Sequence, residues 1–113
     1  MSIWRPASVE EEPSMPAFQW SIMRVKTAGG ETSDHLKAAM PYGDGRVSSD
    51  IVSFDPEGHT IITNSGRRYK LIGGPGYNSN AEYVWNAWAS INHVVSQEDV
   101  SEEYFAKITN LNK

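Results

Sequence analysis

RVSSDIVSFDPEGHTIITNSGRRYKLI, residues 46–72, is the stretch whose reading decides the fold. β-Branched and aromatic residues gather at 47–54, 59–63 and 68–72, and turn formers separate them, so it reads as three antiparallel strands in a meander. Asp55, Pro56, Glu57 and Gly58 make the first break: Pro56 pre-sets φ for the second position of a type I turn, and Gly58 is expected to take the left-handed conformation that restores pairing. Asn64, Ser65 and Gly66 make the second, with Gly66 where positive φ is expected.

On the N-terminal side of the meander, Phe18, Trp20 and Ile22 alternate with Gln19 and Ser21, which predicts a strand over 18–27. Beyond Ile22 the apolar residues shift phase to Met23 and Val25, so either a bulge intervenes or both faces are covered. Leu36, Ala39 and Met40 share one side of a short helix predicted over 34–40, capped by Thr32 or Ser33 and stopped by Pro41. Residues 1–17, broken by Pro6, Pro13 and Pro16, read as a flexible arm that carries Trp4 and the run Glu10, Glu11, Glu12.

On the C-terminal side, a glycine-rich link leads to a helix predicted over 81–94. Asn80 serves as its N-cap, and Ala81, Val84, Trp88, Ile91 and Val95 form the stripe that packs on the sheet. Trp85 falls at the boundary of that stripe. Val100, Tyr104, Ile108 and Leu111 mark a final amphipathic helix over 101–111, with Asp99 or Ser101 as its cap. Strands first and helices last give an α+β domain over 18–113: an antiparallel sheet of about four strands, the meander plus the N-terminal strand, with helices on one face.

The 113 residues suffice for one core without staples. With no cysteine, disulfides, thiolate metal sites and cysteine nucleophiles are excluded. No apolar run approaches the ~20 residues of a membrane helix, and no basic stretch followed by an apolar one opens the chain, so a cytoplasmic location without membrane contact is expected. Fourteen acidic against ten basic side chains, a net charge of −4, weigh against a general nucleic-acid binder.

Catalytic signals are sparse. Gly73, Gly74 and Gly76 match neither dinucleotide nor P-loop spacing, and Pro75 removes a donor that a phosphate cradle needs. His35, His59 and His93 show no metal-ligand spacing, so neither metal nor cofactor is expected. No serine lies in a nucleophile elbow. An enzyme built around His59 or His93 is the third reading, behind two binding readings, and the leading expectation is a non-enzymatic protein.

Charge is distributed unevenly. Glu98, Asp99, Glu102 and Glu103 crowd the start of the final helix, and with Trp85 and Trp4 as aromatic anchors they are the candidate contacts for a basic partner surface. Arg67, Arg68, Tyr69 and Lys70 are the alternative: three cations and a stacking ring for nucleic acid, or simply an edge strand defended by charge. Thr63, Ser65, Gly66, Tyr69 and Leu71 also form the pattern T-x-S-G-x-x-Y-x-L ahead of a tryptophan-containing helix. Over 63–88 this resembles the small accessory proteins of phages and other mobile elements. The resemblance implies a protein that binds a host or defence factor, such as an inhibitor of a nucleic-acid-processing complex, and it assigns no catalytic residue.

Overall fold

The computed structural model describes residues 14–110. In chain order they form β1 (Ser14–Thr27), β2 (Thr32–Ala39), β3 (Gly45–Val47), β4 (Ile51–Asp55), β5 (Thr60–Thr63), β6 (Arg68–Leu71), α1 (Ser79–Ile91), β7 (Val94–Asp99) and α2 (Ser101–Thr109). The sheet runs β3-β2-β1-β6-β5-β4, and β7 joins β1 further along its length. The class is α+β as expected, but the described residues make seven strands rather than four, and β1 pairs with β6 in parallel.

β1 is the strand on which everything else is assembled, and one of its edges is satisfied by four successive partners. Ser14 to Ala17 pair with β6. Where β6 ends, the glycine-rich link takes over: Ile72 N–H donates to Ala17 O at 3.0 Å, and Gly76 N–H to Trp20 O at 2.9 Å. A Cβ on Gly76 would lie 3.2 Å from Gln19 Cα, so the close approach itself accounts for a glycine there. The start of α2 comes next, with Val100 N–H donating to Ile22 O at 2.8 Å and Ser101 Oγ accepting from Ile22 N–H at 2.8 Å. β7 then covers Met23 to Thr27. Switching partners along one buried edge keeps its backbone groups paired.

The phase change in β1 has two causes. Its register with β2 slips between Phe18 and Ser21, and Gln19 sits at φ +48°. The bulge moves the core positions from Met15 and Ala17 to Trp20 and Ile22. Beyond it both faces are covered. Ile22 enters the main cluster with Leu36, Ile61, Leu71, Val100 and Ile108, whereas Met23 and Val25 meet Trp85 in a smaller cluster flanked by Val47, Trp88, Ala89 and Val94. Adjacent strand residues point to opposite faces. α1 and α2 therefore pack on opposite sides of the sheet, not together on one.

The meander is present, with amendments. β4, β5 and β6 pair antiparallel as expected. Residues 47–54 are not one strand: β3 turns to β2, and 48–50 separate it from β4. Gly66 has φ +90°, but in the first turn His59, not Gly58, takes the left-handed conformation, at φ +55°.

Elsewhere the corrections are larger. Residues 34–40 are not a helix but lie mostly in β2. Leu36, Ala38 and Met40 enter the main cluster while His35 and Lys37 turn toward the α1 tryptophans, and burial on both faces erases the strand's alternation. α1 begins two residues early, capped by Asn78, whose Oδ1 accepts from Ala81 N–H at 2.9 Å. Its buried residues are Ala81 and Trp85, while Ile91 and Val95 from the expected stripe are 75% and 64% exposed. The chain leaves the helix at Asn92, passes His93 at φ +55°, and enters β7, a strand that the sequence pattern does not announce. Ser14 to Ala17, expected in the arm, belong to β1. Trp4, the triple glutamate and Leu111 lie outside the described residues.

Candidate functional site

The acidic corner forms where β7 hands over to α2, and the fold uses half of it. Asp99 Oδ1 accepts from Ser101 N–H at 2.9 Å and so caps α2 from one residue before Val100. Glu103 pairs with Arg24 of β1, Nη2 to Oε2 at 3.0 Å. Glu98 lies opposite Arg24 in the β1–β7 register, and both Glu98 and Glu102 are exposed. These two carboxylates face outward.

Arg24 is the hub behind the corner. It also grips Asp34 of β2 with two parallel bonds, Nε to Oδ1 at 2.8 Å and Nη2 to Oδ2 at 3.0 Å, and Tyr104 of α2 donates to Asp34 Oδ2 at 2.7 Å. Burial pushes the Asp34 pKa up, but the hydrogen bonds from Arg24 and Tyr104 and the Arg24 charge outweigh it and hold the carboxyl below its ordinary value. Burial first, and the bond to Asp34 second, push the Tyr104 phenol well up. The bonds to Asp34 and then Glu103 raise Arg24 further. The network stays charged at neutral pH and ties β1, β2 and α2 together. Beside it Arg24, Lys26, Thr32, Ser96 and Glu98 line a shallow depression of about 400 Å³.

β7 adds a second feature. Its one strand partner among the described residues is β1, and five of its six residues are exposed. Among the described residues no strand pairs with the other edge of β7, the one that ends in the acidic corner.

Of the two aromatic anchors, Trp4 lies outside the described residues and Trp85 is turned inward. Trp85 is 1% exposed; its Nε1 donates to Gln97 Oε1 at 2.8 Å and its ring stacks on Trp88 with centroids 5.1 Å apart. It belongs to the core under α1 and offers a partner no surface. The helix turns Tyr83 outward instead, and among the described residues Phe18, Tyr42, Tyr77 and Tyr83 are exposed aromatic rings.

The basic hairpin is likewise divided. β6 lies between β5 and β1, so it is not an edge strand. Tyr69 is 3% exposed and cannot stack on a base. Arg67 lays Nη1 against Met15 Sδ at 3.4 Å, beside Arg46, whose Nη1 approaches the same sulfur at 3.2 Å. Arg68 and Lys70 remain on the exposed face.

One constellation escapes a reading of the sequence alone. Ser33 and His35 lie two apart on β2 and share a face, with Ser33 Oγ 2.7 Å from His35 Nε2. His35 Nδ1 lies 3.0 Å from Ser48 O. A carbonyl only accepts, so Nδ1 carries a proton, and in the neutral ring Nε2 accepts from the Ser33 hydroxyl. Trp88 holds the ring from the α1 side at 4.5 Å between centroids. The signal available in the sequence is S-x-H in a strand, and assigning 34–40 to a helix conceals it. His59 and His93 instead occupy left-handed turn positions.

Fold and surface together define a small α+β protein with a mixed sheet, an open acidic strand edge and a serine–histidine pair. No protein-family model, no curated protein and no solved structure matches the chain.

Proposed function

We propose that this chain is a small interaction protein that docks on a basic partner through the corner where β7 meets α2. The observation that carries the reading is the open edge of β7 ending in outward-facing Glu98 and Glu102. An unpaired strand edge supplies backbone donors and acceptors, and carboxylates at its end favour lysine- or arginine-rich segments. The partner that fits is an extended basic segment of a protein. The accessory-protein resemblance makes that partner a component of a host nucleic-acid-processing or defence complex, inhibited by occupation of its basic surface.

The alternative, nucleic-acid binding by the hairpin, is weakened by the burial of Tyr69. With Arg68 and Lys70 as its outward cations on β6, it supports a salt dependence of about two units of slope, roughly one per phosphate contact.

Glu98→Lys with Glu102→Lys tests the leading reading while keeping every hydrogen-bonding residue of the Arg24 network and the Asp99 cap in place. Both proteins are used to capture partners from host extract at two ionic strengths, after circular dichroism shows the variant folded. The expected result is a stoichiometric partner held by the wild-type chain at low salt and lost by the variant. Equal recovery by the two would overturn the acidic-corner mechanism.

A further inference from the structure

The Ser33–His35 pair lies apart from the acidic corner, on the α1 face of β2, and its chemistry is independent of the interaction reading. Three groups are arranged in the order that nucleophilic catalysis requires. A hydroxyl is hydrogen-bonded to an imidazole nitrogen, the imidazole is oriented through its other nitrogen, and the ring is buried so that it cannot turn away. The Ser48 carbonyl takes the orienting role that a carboxylate often fills. Ser33 itself is half-buried and borders a depression of about 450 Å³ lined by Glu31, Thr32, Ser33, His35 and Asp50.

Strand geometry adds a donor. Leu36 N–H donates to Ser48 Oγ and Leu36 O accepts from Ser48 N–H, so both backbone groups of Leu36 point to the β3 side of β2. Groups two residues apart in a strand share an edge, so Asp34 N–H points to that same side. No described strand pairs with β2 at Asp34 on that side. The chain runs on from Ser48 to Asp50 there, beside the depression. The backbone N–H that comes after the serine thus points to the edge of β2 along which the Ser48–Asp50 segment runs, and it is the donor available to an oxyanion formed at Ser33.

We propose that Ser33 is a nucleophile activated by His35, and that the pair transfers acyl groups from small neutral or cationic esters. Glu31 and Asp50 at the rim set that preference by repelling anionic substrates. Ser33 Oγ attacks the ester carbonyl carbon while His35 Nε2 takes the hydroxyl proton, and the C–O bond to the alcohol breaks with return of that proton to the leaving oxygen. Water then attacks the acyl-serine, giving its proton to Nε2, and the released Ser33 oxygen recovers it as the acid departs.

The test uses a neutral fluorophosphonate, which is captured by an activated serine with loss of fluoride, followed by intact mass and peptide mapping. The expected result is a single adduct on Ser33, absent in Ser33→Ala and formed at least about tenfold more slowly in folded His35→Gln. Absence of an adduct, an adduct only on other residues, or an unchanged rate in His35→Gln would overturn the proposal. Should His35→Gln fail to fold, Ser33→Cys decides the matter, because the chain otherwise lacks cysteine. Beside His35 the new thiol should react with iodoacetamide at pH 7 at least about tenfold faster than the same thiol in urea-unfolded protein, since the imidazole favours the thiolate. An equal or slower rate in the folded protein would count against it.

Discussion

The two apolar clusters on opposite faces of β1 differ in kind as well as size. The main one gathers Met15, Trp20, Ile22, Leu36, Ile61, Leu71, Val100 and Ile108 from both ends of the chain, and its one indole N–H is satisfied by a backbone carbonyl, Trp20 Nε1 to Gly73 O at 3.1 Å. The cluster under α1 is built on Trp85 and Trp88 and is laced with polar groups: Gln97 on the Trp85 N–H, Lys37 over the Trp85 ring and ion-paired with Glu82, and His35 against Trp88. A mostly apolar, long-range core fixes topology. A small cluster with polar handles fixes one helix and brings a histidine and a serine to one face, so chemistry sits where packing is least exclusively apolar.

The sharpest way to break this contrast is to truncate each cluster at its largest residue. Trp20→Ala should cost about 3–5 kcal/mol, as expected for an aromatic removed from a closed core, and lower the urea midpoint for the whole domain. Trp85→Ala should cost less, about 2–4 kcal/mol. Hydrogen exchange should then accelerate in Ser79–Ile91 and Val94–Asp99 while β4 to β6 keep their protection. Uniform acceleration across the molecule would show one cooperative core where two are described.

A gentler perturbation separates α1 from the sheet without opening a cavity. A Cβ on Gly45 would lie 2.3 Å from Ala81 N and 2.4 Å from Ala81 Cα, so β3 touches the first turn of the helix backbone to backbone. Gly45→Ala should therefore cost about 1–3 kcal/mol through displacement of α1. It should also enhance quenching of Trp85 and Trp88 fluorescence by acrylamide. Unchanged quenching would place the helix's anchorage elsewhere.

These contrasts mark where the sequence is informative. Period-two alternation and turn residues survive wherever a strand has one wet face, so β6, with Tyr69 and Leu71 in and Arg68 and Lys70 out, is readable from its own residues. The pattern fails where a strand is covered twice. Alternate residues of β2 serve different clusters, and its apolar positions then mimic a helix. Trp85 misleads for a related reason: α1 is only half buried, both its tryptophans face the sheet, and the deeper burial of Trp85 goes with contacts to Gln97 and Lys37, residues distant in sequence. The acidic corner is visible as composition. Asp99 as a cap of the final helix is legible in the sequence and holds, whereas the pairing of Glu103 with Arg24 joins residues 79 apart and depends on how α2 packs on β1. The Ser33–His35 pair needs the strand assignment first.

pH sharpens the comparison, because the main cluster is apolar whereas the clasp between β1, β2 and α2 is ionic. Asp34 has a folded pKa below its ordinary value, so its contribution is complete above the unfolded value near pH 4 and is lost as pH falls through the lower folded value. Tyr104, raised in the fold, contributes fully below its ordinary value near 10 and loses that contribution as pH rises beyond it. Stability measured by urea should thus fall at both limits. Asp34→Asn should be less stable than wild type at pH 7, with the difference shrinking below about pH 4. A constant difference down to about pH 2.5 would remove Asp34 as the acid-sensitive group.

The smallest effect lies in the first meander turn, at the border of the main cluster, where Leu71 N–H donates to His59 O at 2.7 Å. His59 stands at φ +55°, a conformation that strains a side chain with a Cβ, whereas Gly58 beside it is not in the left-handed region. Glycine at 58 is instead favoured by space: a Cβ there would approach Asp55 Oδ2 to 2.7 Å, and a carboxylate tip can move. Exchanging the two demands should therefore show which residue the turn constrains. His59→Gly should stabilise the domain or leave it within about 0.5 kcal/mol of wild type, since relief of strain is offset by the added freedom of the unfolded chain. Gly58→Ala should be mildly destabilising, by under about 1 kcal/mol, because only the Asp55 side chain must yield. The reverse ranking in parallel urea melts would return the left-handed position to Gly58 and reinstate the turn that the sequence alone predicts.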